Sequence, residues 1–184
     1  MYFLFNSVVS TTLNISTLDS LIIGGLFYIA LLPFIYKKGL KKNILYFLIV
    51  LYSSFLFFLT VPIVLHPYPE EIFVKLKWAL SEIIWSPLHS IRGISSAVSF
   101  AKLIGGNFCL LMPITIFQVI RNKECSWKKV LFTASGISIG IETLQLIGNV
   151  IIGYSYRTVE LFDVVLNVSG AIVCFLLHKK SKIF

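Results

Sequence analysis

The sequence predicts an all-α, polytopic helical membrane protein with about five transmembrane helices, and three observations carry that prediction. Hydrophobic residues make up 57% of the 184 residues and charged residues only 13%, with a mean hydropathy of +0.89. A soluble domain of that balance has too little polar surface to cover itself, so lipid must cover it. Five stretches are mainly apolar over the length a helical span needs, roughly 17 to 25 residues. The basic residues, finally, sit in short clusters after every second stretch.

In chain order, the predicted spans run from about Ser20 to Tyr36, Ile44 to Leu65, about Leu103 to Ile120, Val130 to Ile152 and about Leu161 to His178. Lys37, Lys38, Lys41 and Lys42 follow the first. Arg121, Lys123, Lys128 and Lys129 follow the third, and Lys179, Lys180 and Lys182 follow the fifth. These clusters hold 11 of the 16 basic residues. Basic loops are retained in the cytoplasm, which places the N-terminus outside and the C-terminus inside a plasma membrane. An even number of spans would divide the clusters between the two sides. The net charge of +8 is therefore a topology signal. A nucleic-acid binder would gather its Lys and Arg on one solvated face, so no nucleic-acid partner is expected. The first residues lack the basic start of a secretory signal, and the N-terminus is expected to be retained. Cys109, Cys125 and Cys174 have no C-x-x-C spacing, and neither a disulfide nor a metal is expected of them.

The long outer connection, His66 to Lys102, contains one helical pattern. Ile72, Leu76, Leu80 and Ile83 follow helical spacing, Glu71, Lys75 and Glu82 fall on other faces, and Trp78 and Trp85 suit the headgroup zone. Pro69 to about Trp85 is thus expected to form an interfacial helix on the outer leaflet. The alternative is a soluble helix packed over the bundle mouth. His66, His89, Glu70 and Glu71 are too irregularly spaced for a metal site, and no cofactor is expected.

The last two spans carry polar rows where lipid should meet apolar side chains. Ser135, Ser138, Glu142, Gln145 and Asn149 advance by three or four residues and so share one helix face. Glu160, Asp163, Asn167, Gly170 and Cys174 repeat the steps, with His178 one turn further. The turn Gly153-Tyr154-Ser155-Tyr156 joins the two helices, which sets Gln145 and Asn149 level with Glu160, Asp163 and Asn167, near Arg157. Glu142 lies deepest, about 18 Å along the helix from Val130 at the helical rise, and so near the midplane. An ionisable group there costs at least about 2.5 kcal/mol if it faces lipid, so it must face the bundle interior, be paired or be protonated. Two readings remain open. The rows line a polar cavity open to the outer leaflet, where Glu142, Gln145, Arg157, Asp163 and Asn167 converge on a headgroup or sugar. Or they hold helices together, with Gly136 and Gly140 as a close small-residue contact. Gly105, Gly106 and Asn107 near the outer end of the third span, and Pro113 in its middle, predict a kink that opens such a cavity or serves packing alone.

Three blocks of these residues resemble the VanZ-like family of bacterial membrane proteins. They are Gly106-Asn107-Phe108-Cys109-Leu110-Leu111-Met112-Pro113, the Ser138 to Gln145 segment around Ile141-Glu142-Thr143-Leu144-Gln145, and the run from Arg157 through Glu160, Asp163 and Asn167 to Gly170. Glu160 stands where the family usually has Asp, and Ser86-Pro87-Leu88 matches a further block only in part. The resemblance divides the single membrane domain into a variable part, 1–80, and a VanZ-like part, 81–178. It implies a bacterial cell-envelope protein linked to lowered susceptibility to lipid-tailed glycopeptides of the teicoplanin class, and it implies no established reaction.

The expected site is accordingly Asn107, Glu142, Gln145, Arg157, Asp163 and Asn167, binding a membrane lipid, a lipid-linked envelope precursor or an amphiphilic glycopeptide. If the protein is instead an enzyme acting on lipid-linked cell-wall or teichoic acid material, Glu142 and Asp163 are its candidate acid and base and Arg157 its phosphate holder. No nucleophile elbow, phosphate loop or metal motif supports that alternative. A transporter, the third reading, would need more spans or an oligomer.

Overall fold

The structure, a computed structural model, describes residues 12–13, 17–35, 39–60, 63–64, 71–86, 91, 96–122, 124–155 and 157–181. Five helices in it are long and apolar enough to cross a membrane. The first two, α1 (Thr17–Ile35) and α2 (Leu40–Thr60), form a hairpin. Gly39, with φ +85°, makes the turn in a conformation that side chains rarely adopt, and α2 begins at the next residue. The second span thus starts and ends several residues earlier than its hydropathy suggests. The helices meet at Gly24, where an added Cβ would lie 2.9 Å from Ser54 Cβ, and Ser54 Oγ donates to the Ser20 carbonyl at 2.7 Å. Ser20 and Gly24 are the buried residues of α1, and its Leu, Ile and Phe side chains point outward onto what lipid covers. Beyond α2, Ile63–Val64 pair antiparallel with Thr12–Leu13 in a two-residue ladder.

The helix expected in the connection between the second and third spans is α3, Ile72–Ser81, shorter at both ends than the Pro69 to Trp85 expectation. It packs against the bundle, as the second of its two expected arrangements has it. Lys75 and Ala79 are buried against the bundle, and Lys75 Nζ donates to the Ile151 carbonyl at 3.4 Å. The apolar row of Ile72, Leu76 and Leu80, with Phe73 and Trp85, stays exposed. A helix in water would bury that row and expose the lysine; this polarity suits a headgroup-level environment. His66, His89 and Glu70 lie outside the described residues.

The third span, Ala97–Arg121, starts six residues before the predicted Leu103 and is not one smooth helix. It consists of α4 (Ala97–Phe100), a π-helical turn (Ala101–Gly105), α5 (Gly106–Leu110) and α6 (Met112–Arg121). Ser96 caps the start, its hydroxyl accepting from Ser99 N at 3.1 Å. The break falls at the fully buried Leu111, because Pro113 has no N–H to offer and its ring clashes with the turn before it. The Tyr52 hydroxyl of α2 donates to the Leu110 carbonyl beside the break.

The fourth span is α7, Trp127–Ile152, capped by Ser126, which accepts from Lys129 N, and ended by Gly153 at φ +88°. The fifth is α8, Leu161–Ser181. Its Gly170 lies against α5 so closely that an added Cβ would overlap the Phe108 carbonyl oxygen. Gly136 and Gly140, the small pair expected to make a close contact, have nothing within 4 Å of an added Cβ. The tight glycine contacts are Gly24 and Gly170 instead. Leu56, Leu111, Val119, Val130, Ala134, Ile141, Ala171 and Phe175 form the apolar core, drawn from α2, the third span, α7 and α8. Lys41, Lys42, Arg121, Lys128, Lys129, Lys179 and Lys180 mark one end of the bundle, the basic end. Thr60 and Gly153 mark the other, the mouth.

Candidate functional site

Between α7 and α8 the chain does not cross the mouth and turn straight down as a helix. From Arg157 to Glu160 it descends beside α7 before α8 begins at Leu161. Asn149 marks the level of Arg157 and Glu142 the level of Glu160. Three extended steps cover about 10 Å, and the seven helical residues from Glu142 to Asn149 cover about the same. An extended segment at that depth has main-chain groups with no helix to satisfy them, which a membrane tolerates only where protein or a wet cavity surrounds them.

The polar row of α7 supplies the partners. The Asn149 amide donates to the Arg157 carbonyl at 2.6 Å and accepts from the Arg157 N–H at 3.2 Å. Glu142 Oε2 accepts from the Glu160 N–H at 3.0 Å. From the other side, Ile84 N–H donates to the Val159 carbonyl at 2.9 Å and the Leu161 N–H donates to the Ile84 carbonyl at 3.2 Å. The carboxylate of Glu142 therefore sits at the N-terminal end of α8, where the helix dipole favours a negative group.

The last carbonyls of α2 are met in the same way. Gln145 Nε2 donates to the Thr60 carbonyl at 3.1 Å and Arg157 Nη2 to the Leu59 carbonyl at 2.8 Å. Helix C-termini leave such acceptors open, and a cation there opposes the dipole. Further down, Asn167 Nδ2 donates to Ser138 Oγ at 2.8 Å. Asn167 was expected level with Gln145 and Asn149; the extended descent shifts it toward the basic end. Its Oδ1 has no hydrogen-bond partner among the described residues.

In front of this network, toward α2 and the third span, lies a cavity of about 590 Å³ open at the mouth. Asn107, Gln145, Arg157 and Asp163 line it, so four of the six expected residues converge there. Asn107 Nδ2 donates to Asp163 Oδ1 at 2.6 Å, which fixes the carboxylate on the first turn of α8. Glu142 and Asn167, the other two, stand behind the wall: they are 9% and 1% exposed and hold Glu160 N–H and Ser138. Glu160 also lines the cavity, as do Thr60, Ser99, Thr158 and Lys102, which the sequence reading left out of the site. Lys102 matters most, because it gives the lining a second cation beside Arg157. Its signal was present: Ser99, Lys102, Gly106 and Leu110 advance by three, four and four residues, and all line the cavity.

The lining thus holds two cations, two carboxylates, two amides and hydroxyls, beside Leu59, Leu103 and Leu110. Such a surface can hydrogen-bond a polar group carrying phosphate or sugar oxygens while an alkyl portion lies on the leucines. No three His, Cys, Asp or Glu side chains among the described residues converge as metal ligands.

A long apolar bundle whose last two spans carry a re-entrant segment and a polar cavity at one end defines a multi-pass membrane protein. The chain belongs to the VanZ/LLP1 family, whose sequence model matches residues 43–183. The match takes in the three blocks on which the resemblance rests and extends upstream through α2, the helix whose end closes the cavity. Neither the curated proteins nor the solved structures contain a match to the chain.

Proposed function

We propose that the protein resides in a bacterial plasma membrane with the mouth facing outward, binds a lipid-linked or amphiphilic ligand in the mouth cavity, and thereby lowers susceptibility to lipid-tailed glycopeptides of the teicoplanin class. The cavity carries the proposal: its polar wall of Lys102, Asn107, Gln145, Arg157 and Asp163 adjoins leucines at the end of the bundle opposite the basic clusters. Basic clusters mark the cytoplasmic side, so the cavity end is outside. A lipid tail gains about 0.8 kcal/mol per CH₂ buried in the leaflet. Tailed glycopeptides therefore meet a protein of that leaflet, and tail-less ones do not.

A second reading, a small enzyme acting on lipid-linked cell-wall or teichoic acid material, draws on one observation. Asp163 shares the cavity with Lys102 and Arg157, an arrangement able to hold a phosphate beside an acid or base. In that reading Asp163 is the better candidate than Glu142, whose Oε2 is engaged by a main-chain N–H behind the wall.

Expression in a susceptible Gram-positive host tests both. Resistance to teicoplanin should rise more than resistance to vancomycin, and Lys102→Gln and Asp163→Asn should abolish the difference while membrane levels stay normal. Mass analysis of the wall precursors should show no new species. Equal protection against both drugs would contradict the proposal, and a covalently altered precursor lost in Asp163→Asn would favour the enzyme.

A further inference from the structure

At the basic end, α2 and α6 enclose a second groove, of about 520 Å³, far from the mouth and independent of the function proposed there. Lys41 and Lys42 of α2 and Arg121 of α6 border it. Its walls are apolar and aromatic: Leu45 and Tyr46 from one helix, Phe117 from the other, with the rings of Tyr46 and Phe117 in an edge-to-face contact at 5.8 Å. Two features set it apart from an ordinary cytoplasmic charge cluster. The cations come from two different helices and converge on one concavity, and no carboxylate among the described residues lines it. Among the described residues the side chains of Lys41, Lys42 and Arg121 make no hydrogen bond or ion pair.

We infer that this groove binds the headgroup of an anionic phospholipid, with the phosphate between Lys41, Lys42 and Arg121 and an acyl chain running down the Leu45, Tyr46 and Phe117 wall. The charge pattern selects the occupant. A phosphodiester offers acceptors to donors that have none among the described residues, and the planar fork of Arg121 matches two phosphate oxygens at once. The ammonium group of a zwitterionic lipid would face three cations with no anion to receive it. Basic pockets between membrane helices hold anionic headgroups for this reason. The apolar wall continues into the span, so a free phosphate would occupy only the rim.

Native mass spectrometry of the purified full chain in detergent tests the inference, because detergent removes the charged bilayer surface. Supplied with equal amounts of phosphatidylglycerol and phosphatidylcholine, the wild type should retain phosphatidylglycerol preferentially. Lys41→Gln and Arg121→Gln should each weaken retention by roughly fivefold, the effect of about one basic contact. Arg121→Lys, which keeps the charge and loses the fork, should fall between wild type and Arg121→Gln. The double variant Lys179→Gln/Lys180→Gln removes two exposed cations from the same end, outside the groove, and should retain phosphatidylglycerol as the wild type does. Equal retention of both lipids, or an equal loss in the Lys179/Lys180 variant, would overturn the inference. Displacement of the lipid by excess glycerol phosphate would overturn the lipid assignment and leave a phosphate site.

Discussion

The hairpins α1–α2 and α7–α8 are built from similar materials and reach opposite solutions. Each joins two spans of high mean hydropathy, 2.0 and 1.9 in one and 1.5 and 1.9 in the other, and each turns at a glycine with positive φ, Gly39 or Gly153. In the first, α2 starts at the residue after the glycine, and α1 buries only Ser20 and Gly24. In the second, the chain runs from Tyr154 to Glu160 before α8 starts, and part of that run lies beside α7 inside the bundle. There α7 buries Ser138, Glu142, Gln145 and Asn149. The contrast teaches where polarity in a membrane helix comes from. A seam of amides and carboxylates appears where non-helical backbone and an open helix end must be satisfied away from water, and the cavity is bounded by the groups so held.

Substitutions can break this comparison, the largest at the closest contact. Gly170→Ala places a methyl on the Phe108 carbonyl, so α5 and α8 must separate. It should cost about 3 kcal/mol or more, read as a large fall in the thermal midpoint in detergent or as loss of the protein from membranes. Gly136→Ala and Gly140→Ala, with open space around the new Cβ, should leave the midpoint unchanged or higher.

Asn149→Ala should come next. It leaves both main-chain groups of Arg157 without the partner that α7 gives them, at about 2 kcal/mol or more. Limited proteolysis at the mouth should accelerate, while cleavage near Gly39 stays as in the wild type. Unchanged proteolysis would mean that the descending segment is held by something other than the α7 seam.

In the first hairpin the expected loss is smaller. Gly24→Ala meets the Ser54 side chain at 2.9 Å and Leu51 at 3.3 Å, and α1 can shift outward into lipid, so about 1 kcal/mol is expected. Its effect should stay local to α1 and α2, detectable as weakened protection of their amides in hydrogen exchange with α7 and α8 unchanged.

Glu142→Gln should have the least effect. The amide oxygen can still accept from the Glu160 N–H, so stability should change by less than about 1 kcal/mol, whereas Glu142→Ala leaves that donor open and should cost more. Retained teicoplanin resistance in Glu142→Gln is the result expected of a residue behind the cavity wall. Loss of resistance at normal protein levels would return Glu142 to the site.

Much of this was legible in the sequence, for definable reasons. Hydropathy locates spans because the bilayer demands it, and the three-four steps locate the seams because a helix has one period. The same signals fail where the chain leaves ideal geometry. Ser96, Ser99 and Lys102 dilute the start of the third span, and the π turn at Ala101–Gly105 leaves no composition mark. Steps along a helix cannot show that Arg157 to Glu160 are extended, so Glu142 and Asn167 were set at the wrong levels relative to their neighbours. The row containing Glu142, Gln145 and Asn149 was found; which of its members face the cavity and which hold backbone depends on what packs against them. Lys75 is the converse case, a lysine on a surface helix that turns inward because the carbonyl of Ile151 at the end of α7 needs a donor.

The central claim is that the cavity opens to the outside and accepts a lipid-tailed amphiphile. The most direct measurement uses a variant free of native cysteines, with Cys109, Cys125 and Cys174 replaced, carrying either Thr158→Cys in the cavity lining or Glu124→Cys at the basic end. In intact cells a membrane-impermeant thiol reagent should label Thr158→Cys and leave Glu124→Cys unmodified until the membrane is opened. Teicoplanin added beforehand should slow labelling of Thr158→Cys, and vancomycin at the same concentration should not. Labelling of Glu124→Cys in intact cells, or labelling of Thr158→Cys that neither drug affects differently, would contradict the account.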